Sequence, residues 1–225
     1  MASTLNTPTI PRSATWIGGI ALLLIAVLAG IGNFGSLTPL ITAGDAATTA
    51  QAIAGAEQQF RVGVLLMLAA AALDIVVAAA LLIVLKPVNR SIAVTAAWFR
   101  VAYSAVFVVA IAQLGTVPNL LDQPEIAMNA IDAYLMIWRT GLVLFAVHLV
   151  LVGYLVFRSR IMPRWLGVLV AIAGLGYLID GVGVILIADY TPTVSTFTFI
   201  GEVVLIVWLI VMAVQAGCAR AVVLR

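Results

Sequence analysis

Six long apolar runs, separated by short polar stretches, divide the chain. They cover Trp16 to Phe34, Val62 to Leu85, Ile92 to Leu114, Tyr134 to Phe157, Trp165 to Ile187 and Thr198 to Gln215. Each is close to the roughly 20 residues with which an α-helix crosses a bilayer core of about 30 Å. The runs are continuously apolar and do not alternate in the two-residue period of an outer-membrane strand, which leaves helices as the spanning element. The pattern predicts an all-α fold: a polytopic membrane bundle of six transmembrane helices, one domain over residues 1–225.

The polar stretches set an orientation. Arg12, Lys86, Arg90, Arg158, Arg160, Arg164, Arg220 and Arg225 all fall on one side of a six-span chain, with no acid among them. Asp45, Glu57, Asp122, Glu125, Asp132 and Asp189 fall on the other, where Arg61 is the one base. The positive-inside rule then places both termini in the cytoplasm of a multi-pass protein of the cell (inner or plasma) membrane. The first run, with no small-x-small site before Asn33-Phe34, reads as a signal anchor and not as a cleaved leader. Lys86-Pro87-Val88-Asn89-Arg90 reads as a tight hairpin, since Pro87 ends a helix. Asp45 is expected to cap a short helix leading into the second run. Asp122 is expected to cap the helix that begins at Pro124.

Composition narrows the function. Apolar residues make up 64% of the 225 residues and charged ones 9%, against roughly a quarter charged in soluble domains. Mean hydropathy is +1.23. The formal charge of +2 is too small for a nucleic-acid surface, so no nucleic-acid partner is expected. One Cys and one His exclude a disulfide framework and Cys- or His-rich metal sites, so no metal or other cofactor is expected. The single Lys, Lys86, lies outside every run, which excludes a retinal Schiff base.

The chemistry is concentrated in ionisable residues inside the spans, which are costly there and usually face the bundle interior or a wet cavity. The candidates are Asp74, Arg100, Arg139, His148, Asp180 and Glu202, with Arg61 at the mouth of the second span. At about 1.5 Å per residue, Asp74 lies about 18 Å from Lys86 and Arg100 about 15 Å from Arg90. Their helices are joined by a hairpin and carry small residues around both positions, so Asp74 and Arg100 are expected to pair. Arg139, Asp180 and Glu202 count to within about 12 Å of the opposite boundary, which predicts one externally open cavity lined by all three. His148, about 15 Å deep, is half a turn out of phase with Arg139 and points to another face.

Two stretches carry a resemblance. The first is Phe60-Arg61-x-Gly63, Leu73-Asp74, Lys86-Pro87-Val88-Asn89 and Phe99-Arg100. The second runs through His148-Leu149, Gly153-Tyr154, Arg158-Ser159, Pro163-Arg164, Leu166-Gly167, Ala173-Gly174-Leu175-Gly176-Tyr177 and Asp180. Together they resemble the family of bacterial integral membrane proteins known as domain of unknown function 4386. The resemblance implies a six-helix bacterial membrane protein and no particular activity.

The leading functional reading is a small-ligand or lipid-like-ligand binding or sensing module with an intramembrane polar site. A proton- or ion-coupled transporter, working as a homo-oligomer, is the alternative. A structural partner of another membrane protein is a third reading. The acid–His constellation is too sparse to favour an enzyme acting on lipids. The lipid bilayer is the partner common to all.

Overall fold

The computed structural model describes residues 12–223, with side chains through residue 215. Cys218, Arg220 and Arg225 lie outside the residues whose side chains are described. Helix α1 is Arg12–Gly30, α2 Ala46–Gly55, α3 Glu57–Leu85, α4 Arg90–Thr116, α5 Pro124–Arg158, α6 Arg164–Leu186, α7 Val194–Thr198 and α8 Ile200–Val223. No strand occurs among the described residues. Six helical segments are long and apolar enough to cross a membrane: Arg12–Leu40, Glu57–Leu85, Arg90–Asn119, Pro124–Arg158, Arg164–Leu186 and Val194–Gln215.

The spanning helices close into a ring. α1 packs on α3, α3 on α4, α4 on α5, α5 on α6, α6 on α8, and α8 returns to α1. With lipid outside, apolar burial gives little drive for helix association, and close backbone approach takes its place. The outer face is accordingly apolar and exposed, with Leu24, Leu65, Trp98, Val109, Ile179 and Val207 among its residues. Small residues line the seams. A Cβ on Gly153 would stand 2.7 Å from the Gly167 carbonyl oxygen and the Ala171 amide, so α5 and α6 touch backbone to backbone. Gly32 and Gly63 do the same between the first span and α3. The first span widens there into a π-helical turn over Ile31–Leu37.

Among the described residues, Arg12, Lys86, Arg90, Arg158, Arg160 and Arg164 fall at one end of the ring and the acidic loops at the other. At the basic end Leu85 closes α3, and Asn89 caps α4 by accepting from the Ile92 amide at 3.1 Å. At the acidic end Asp45 caps α2, accepting from the Thr48 amide at 2.9 Å and the Thr48 hydroxyl at 2.7 Å. Those bonds hold its carboxyl below the usual aspartate range. The expected cap at Asp122 is not made. Gln123 precedes α5 instead, with no side-chain cap, because Pro124 at the first position already fixes the backbone and offers no N–H.

One segment departs from a simple up-and-down bundle. The chain after α6 folds back along it before α8 starts. Tyr190 packs on Gly183, the Ser195 amide donates to the Asp180 carboxylate at 2.7 Å, Thr198 packs on Gly176, and Gly201 packs on Leu169. The sixth span is therefore made of α7 and α8, with a break at Phe199.

Candidate functional site

Asp74, Arg100 and His148 meet in the interior, only 5%, 3% and 1% exposed. The Arg100 Nη2 donates to Asp74 Oδ1, forming the ion pair that matching depths on α3 and α4 pointed to. The His148 Nδ1 stands 2.8 Å from the Ala96 carbonyl oxygen, and its Nε2 stands 3.2 Å from Arg100 Nη1. A carbonyl only accepts and a guanidinium only donates. The imidazole therefore carries its proton on Nδ1 and offers the Nε2 lone pair to Arg100, so it is the uncharged tautomer. The Phe145 ring closes one side of the guanidinium, its centroid 5.2 Å from Cζ. The Arg100 Nε–H is buried and has no acceptor among the described residues.

Local sequence explains the convergence. Small side chains on α3 and α4 bring the two backbones together, and the Ser104 hydroxyl donates to the Ala71 carbonyl at 2.7 Å across the seam. On α5, Phe145 and His148 are three positions apart and share a face. One turn beyond Arg100, the Tyr103 hydroxyl accepts from Trp138 Nε1 at 3.1 Å. Tyr103 also stacks on Phe107 and packs at a tilt against Phe145. An aromatic wall thus rises from the triad toward the acidic end.

Glu202 completes the group from the opposite side of the ring. It shares the inward face of α8 with Leu205, Leu209 and Ala213, all buried. Its carboxyl is partly buried and lies within electrostatic reach of the Tyr177 hydroxyl of α6, Arg100 and Asp74. Its depth differs from the expected one. Ser195 is level with Asp180, itself six residues from the end of α6, and Glu202 lies seven residues further on. At about 1.5 Å per residue, Glu202 is about 20 Å below the acidic end of α6. Arg100 and His148 count to about 15 Å from the basic end, so all three share the central layer.

The expected cavity lined by Arg139, Asp180 and Glu202 is therefore not formed. Glu202 belongs to the central layer. The Asp180 carboxylate is already occupied: Oδ1 accepts from the Tyr190 hydroxyl at 2.7 Å and from the Thr193 and Val194 amides at 3.3 and 3.2 Å, and Oδ2 accepts from the Ser195 amide. This bond to Asp180 raises the Tyr190 hydroxyl above its ordinary pKa. Arg139 shares the depth of Asp180, since its carbonyl lies against Gly181, but it forms no ion pair with a described residue. It is partly buried and, nine positions from His148, lies on a different face of α5. Arg61 pairs with Glu57 at 2.7 Å on the surface of α3.

Tyr103, Phe145, Tyr177 and Tyr190 were not among the sequence candidates. The signal for Tyr103 was its position three residues after Arg100 on one helical face. Tyr177, three residues before Asp180, offers the same clue. No group of three or more His, Cys, Asp or Glu able to hold a metal occurs among the described residues. The central layer instead combines two carboxylates, one guanidinium, one uncharged imidazole and a set of aromatic faces. Such a layer can fix helix register, and it can hold a charged group in the membrane interior.

Comparison with known proteins places the chain. The family described as Domain of unknown function (DUF4386) matches residues 17–213. An uncharacterised protein of Archaeoglobus fulgidus is 33% identical over 150 residues, covering 67% of this chain and 81% of that protein. No solved structure matches.

Proposed function

The chain belongs to the DUF4386 family, and from that premise we propose that it is a membrane-embedded binding module for a small organic cation. One observation carries the reading: Glu202 brings a second carboxylate to a layer whose single guanidinium is already engaged by Asp74 and His148. With both acids ionised the layer has one surplus negative charge. A surplus charge in the membrane interior is costly, and a ligand cation would offset it. Tyr177, beside Glu202, supplies an aromatic ring of the kind that attracts an amine or quaternary ammonium. The ligand would enter from the acidic end, along the aromatic wall. The basic end would face the cytoplasm, which reporter fusions after Arg90 and near Asp45 would check.

The test is thermal unfolding of the purified protein in lipid nanodiscs. Primary amines and quaternary ammonium ions would be compared with alcohols and carboxylates of the same carbon skeleton. Saturation with a cation at about 100 times its Kd should stabilise the fold by about 2.7 kcal/mol. Glu202→Gln, with an unchanged circular dichroism spectrum, should lose that response. The reading fails if no cation stabilises the protein, or if the variant responds like the parent. Ion-coupled transport is the second reading. It rests on the break at Phe199, one turn from Glu202, beside a first span that carries its own π-helical turn. Interrupted helices next to a midplane charge are a feature of transporters.

A further inference from the structure

A groove of about 250 Å³ opens between α3 and α4 near the acidic end, remote from the central layer. Val64, Leu65 and Pro118 form its apolar walls over the buried Phe60 and Leu114, and Arg61 stands on its rim. Gly115 is part of the lining, and a Cβ there would meet nothing within 4 Å. The volume is below the range of about 300–1,000 Å³ that encloses a whole small ligand, so the groove suits part of a longer molecule.

Depth identifies that molecule. Arg61 lies 25 residues before Lys86, about 37 Å away at helical rise, whereas Leu65 lies about 31 Å away. A hydrocarbon core is about 30 Å thick and a whole bilayer about 40–45 Å. If Lys86 marks one boundary, Arg61 stands in the headgroup layer and the floor of the groove in the acyl layer. The rim is charged in both senses. Arg61 Nε donates to Glu57 Oε1 at 2.7 Å, while its two terminal amino groups have no partner among the described residues. Both side chains are about half exposed.

We propose that this groove holds one zwitterionic phospholipid of the adjoining leaflet. Its phosphate accepts from the terminal nitrogens of Arg61 and its ammonium group lies on Glu57. One acyl chain runs along Val64, Leu65 and Pro118 over the gap left by Gly115. The ordered charge pair matches the ordered charges of the headgroup. The proposal is independent of the cation site, since none of these residues belongs to the central layer.

The experiment is native mass spectrometry of the full-length protein released from mixed micelles of phosphatidylethanolamine, phosphatidylglycerol and diacylglycerol. The unaltered protein should retain one phosphatidylethanolamine. A single charge-assisted phosphate contact corresponds to about tenfold in affinity, which is the preference expected over diacylglycerol. Arg61→Gln should erase that preference. Glu57→Gln should leave phosphatidylglycerol retained as well as phosphatidylethanolamine. Gly115→Leu should expel the retained lipid by filling the groove, without any backbone clash. Matching circular dichroism and thermal unfolding would confirm that each variant is folded. If Arg61→Gln and Gly115→Leu retain the same lipids as the parent, the retained molecules are general annular lipid and the proposal is wrong. Equal retention of phosphatidylglycerol and phosphatidylethanolamine by the parent would overturn the role given to Glu57.

Discussion

Replacing the members of the Asp74–Arg100–His148 triad one at a time should produce a defined order of destabilisation. Arg100→Gln removes the only cation of the central layer, leaving two carboxylates uncompensated and the His148 Nε2 without its donor. Breaking a buried pair from one side costs about 3–5 kcal/mol, and Arg100→Gln should lie at the upper end. Asp74→Asn leaves Arg100 with Glu202 still in electrostatic reach, so part of the charge remains balanced and the cost should fall near 3 kcal/mol. His148→Gln removes two hydrogen bonds, one from the charged Arg100 donor and one to the Ala96 carbonyl. Side-chain hydrogen bonds in membranes average about 0.6 kcal/mol, so this variant should lose no more than about 1–2 kcal/mol. The double variant Asp74→Asn/Arg100→Gln should recover at least about 1 kcal/mol relative to the sum of the singles. Titration of the protein in lipid–detergent mixed micelles with dodecyl sulfate, followed by circular dichroism, measures all four. Additivity of the two singles within about 0.5 kcal/mol would mean that Asp74 and Arg100 are not energetically coupled, which would refute the predicted order.

The helix seams make two opposite predictions for the same substitution. Gly153→Ala drives a methyl into the backbone of α6 and should cost about 1–3 kcal/mol by the same unfolding assay, whereas Gly115→Ala meets open space and should gain about 0.5–1 kcal/mol. Asp180→Asn replaces one acceptor oxygen with a donor and should cost about 2 kcal/mol, with faster hydrogen exchange at the Ser195 amide; unchanged exchange would show that Asp180 does not pin the segment. Asp45 has a lowered pKa, so its capping contribution is complete above the unfolded value of 3.8 and is lost as pH falls through the lower folded value. Protection of the Thr48 amide relative to its intrinsic exchange rate should fall in the parent as pH drops through that window, but stay flat in an Asp45→Ala variant.

The spans were legible because each is closed by a charge, a proline or a polar turn, and the structure moves most of their ends by only a few residues. The Asp74–Arg100 pair was legible for a related reason. A five-residue hairpin makes its two helices neighbours, so depth alone chooses the partners. His148 was placed at a matching depth, but its partner depended on how α5 is rotated against α4. That rotation is set by Gly141, whose missing side chain admits Val106, and by the aromatic contacts of Phe145. Neither is visible as a period in the sequence.

Glu202 shows where counting fails. Measuring depth from Thr198 assumes that the loop reaches the membrane surface before the sixth span begins. Asp180 removes that assumption by drawing the amides of residues 193–195 down to its own level, with Gly176 and Gly183 leaving room for Thr198 and Tyr190. Unpaired amides cannot be left in hydrocarbon, and an aspartate there needs donors, so each satisfies the other. The consequence is positional. A carboxylate that would otherwise lie near the surface is carried to the layer of Arg100 and His148. Asp180 therefore acts on the central layer from a distance, by setting where α8 starts.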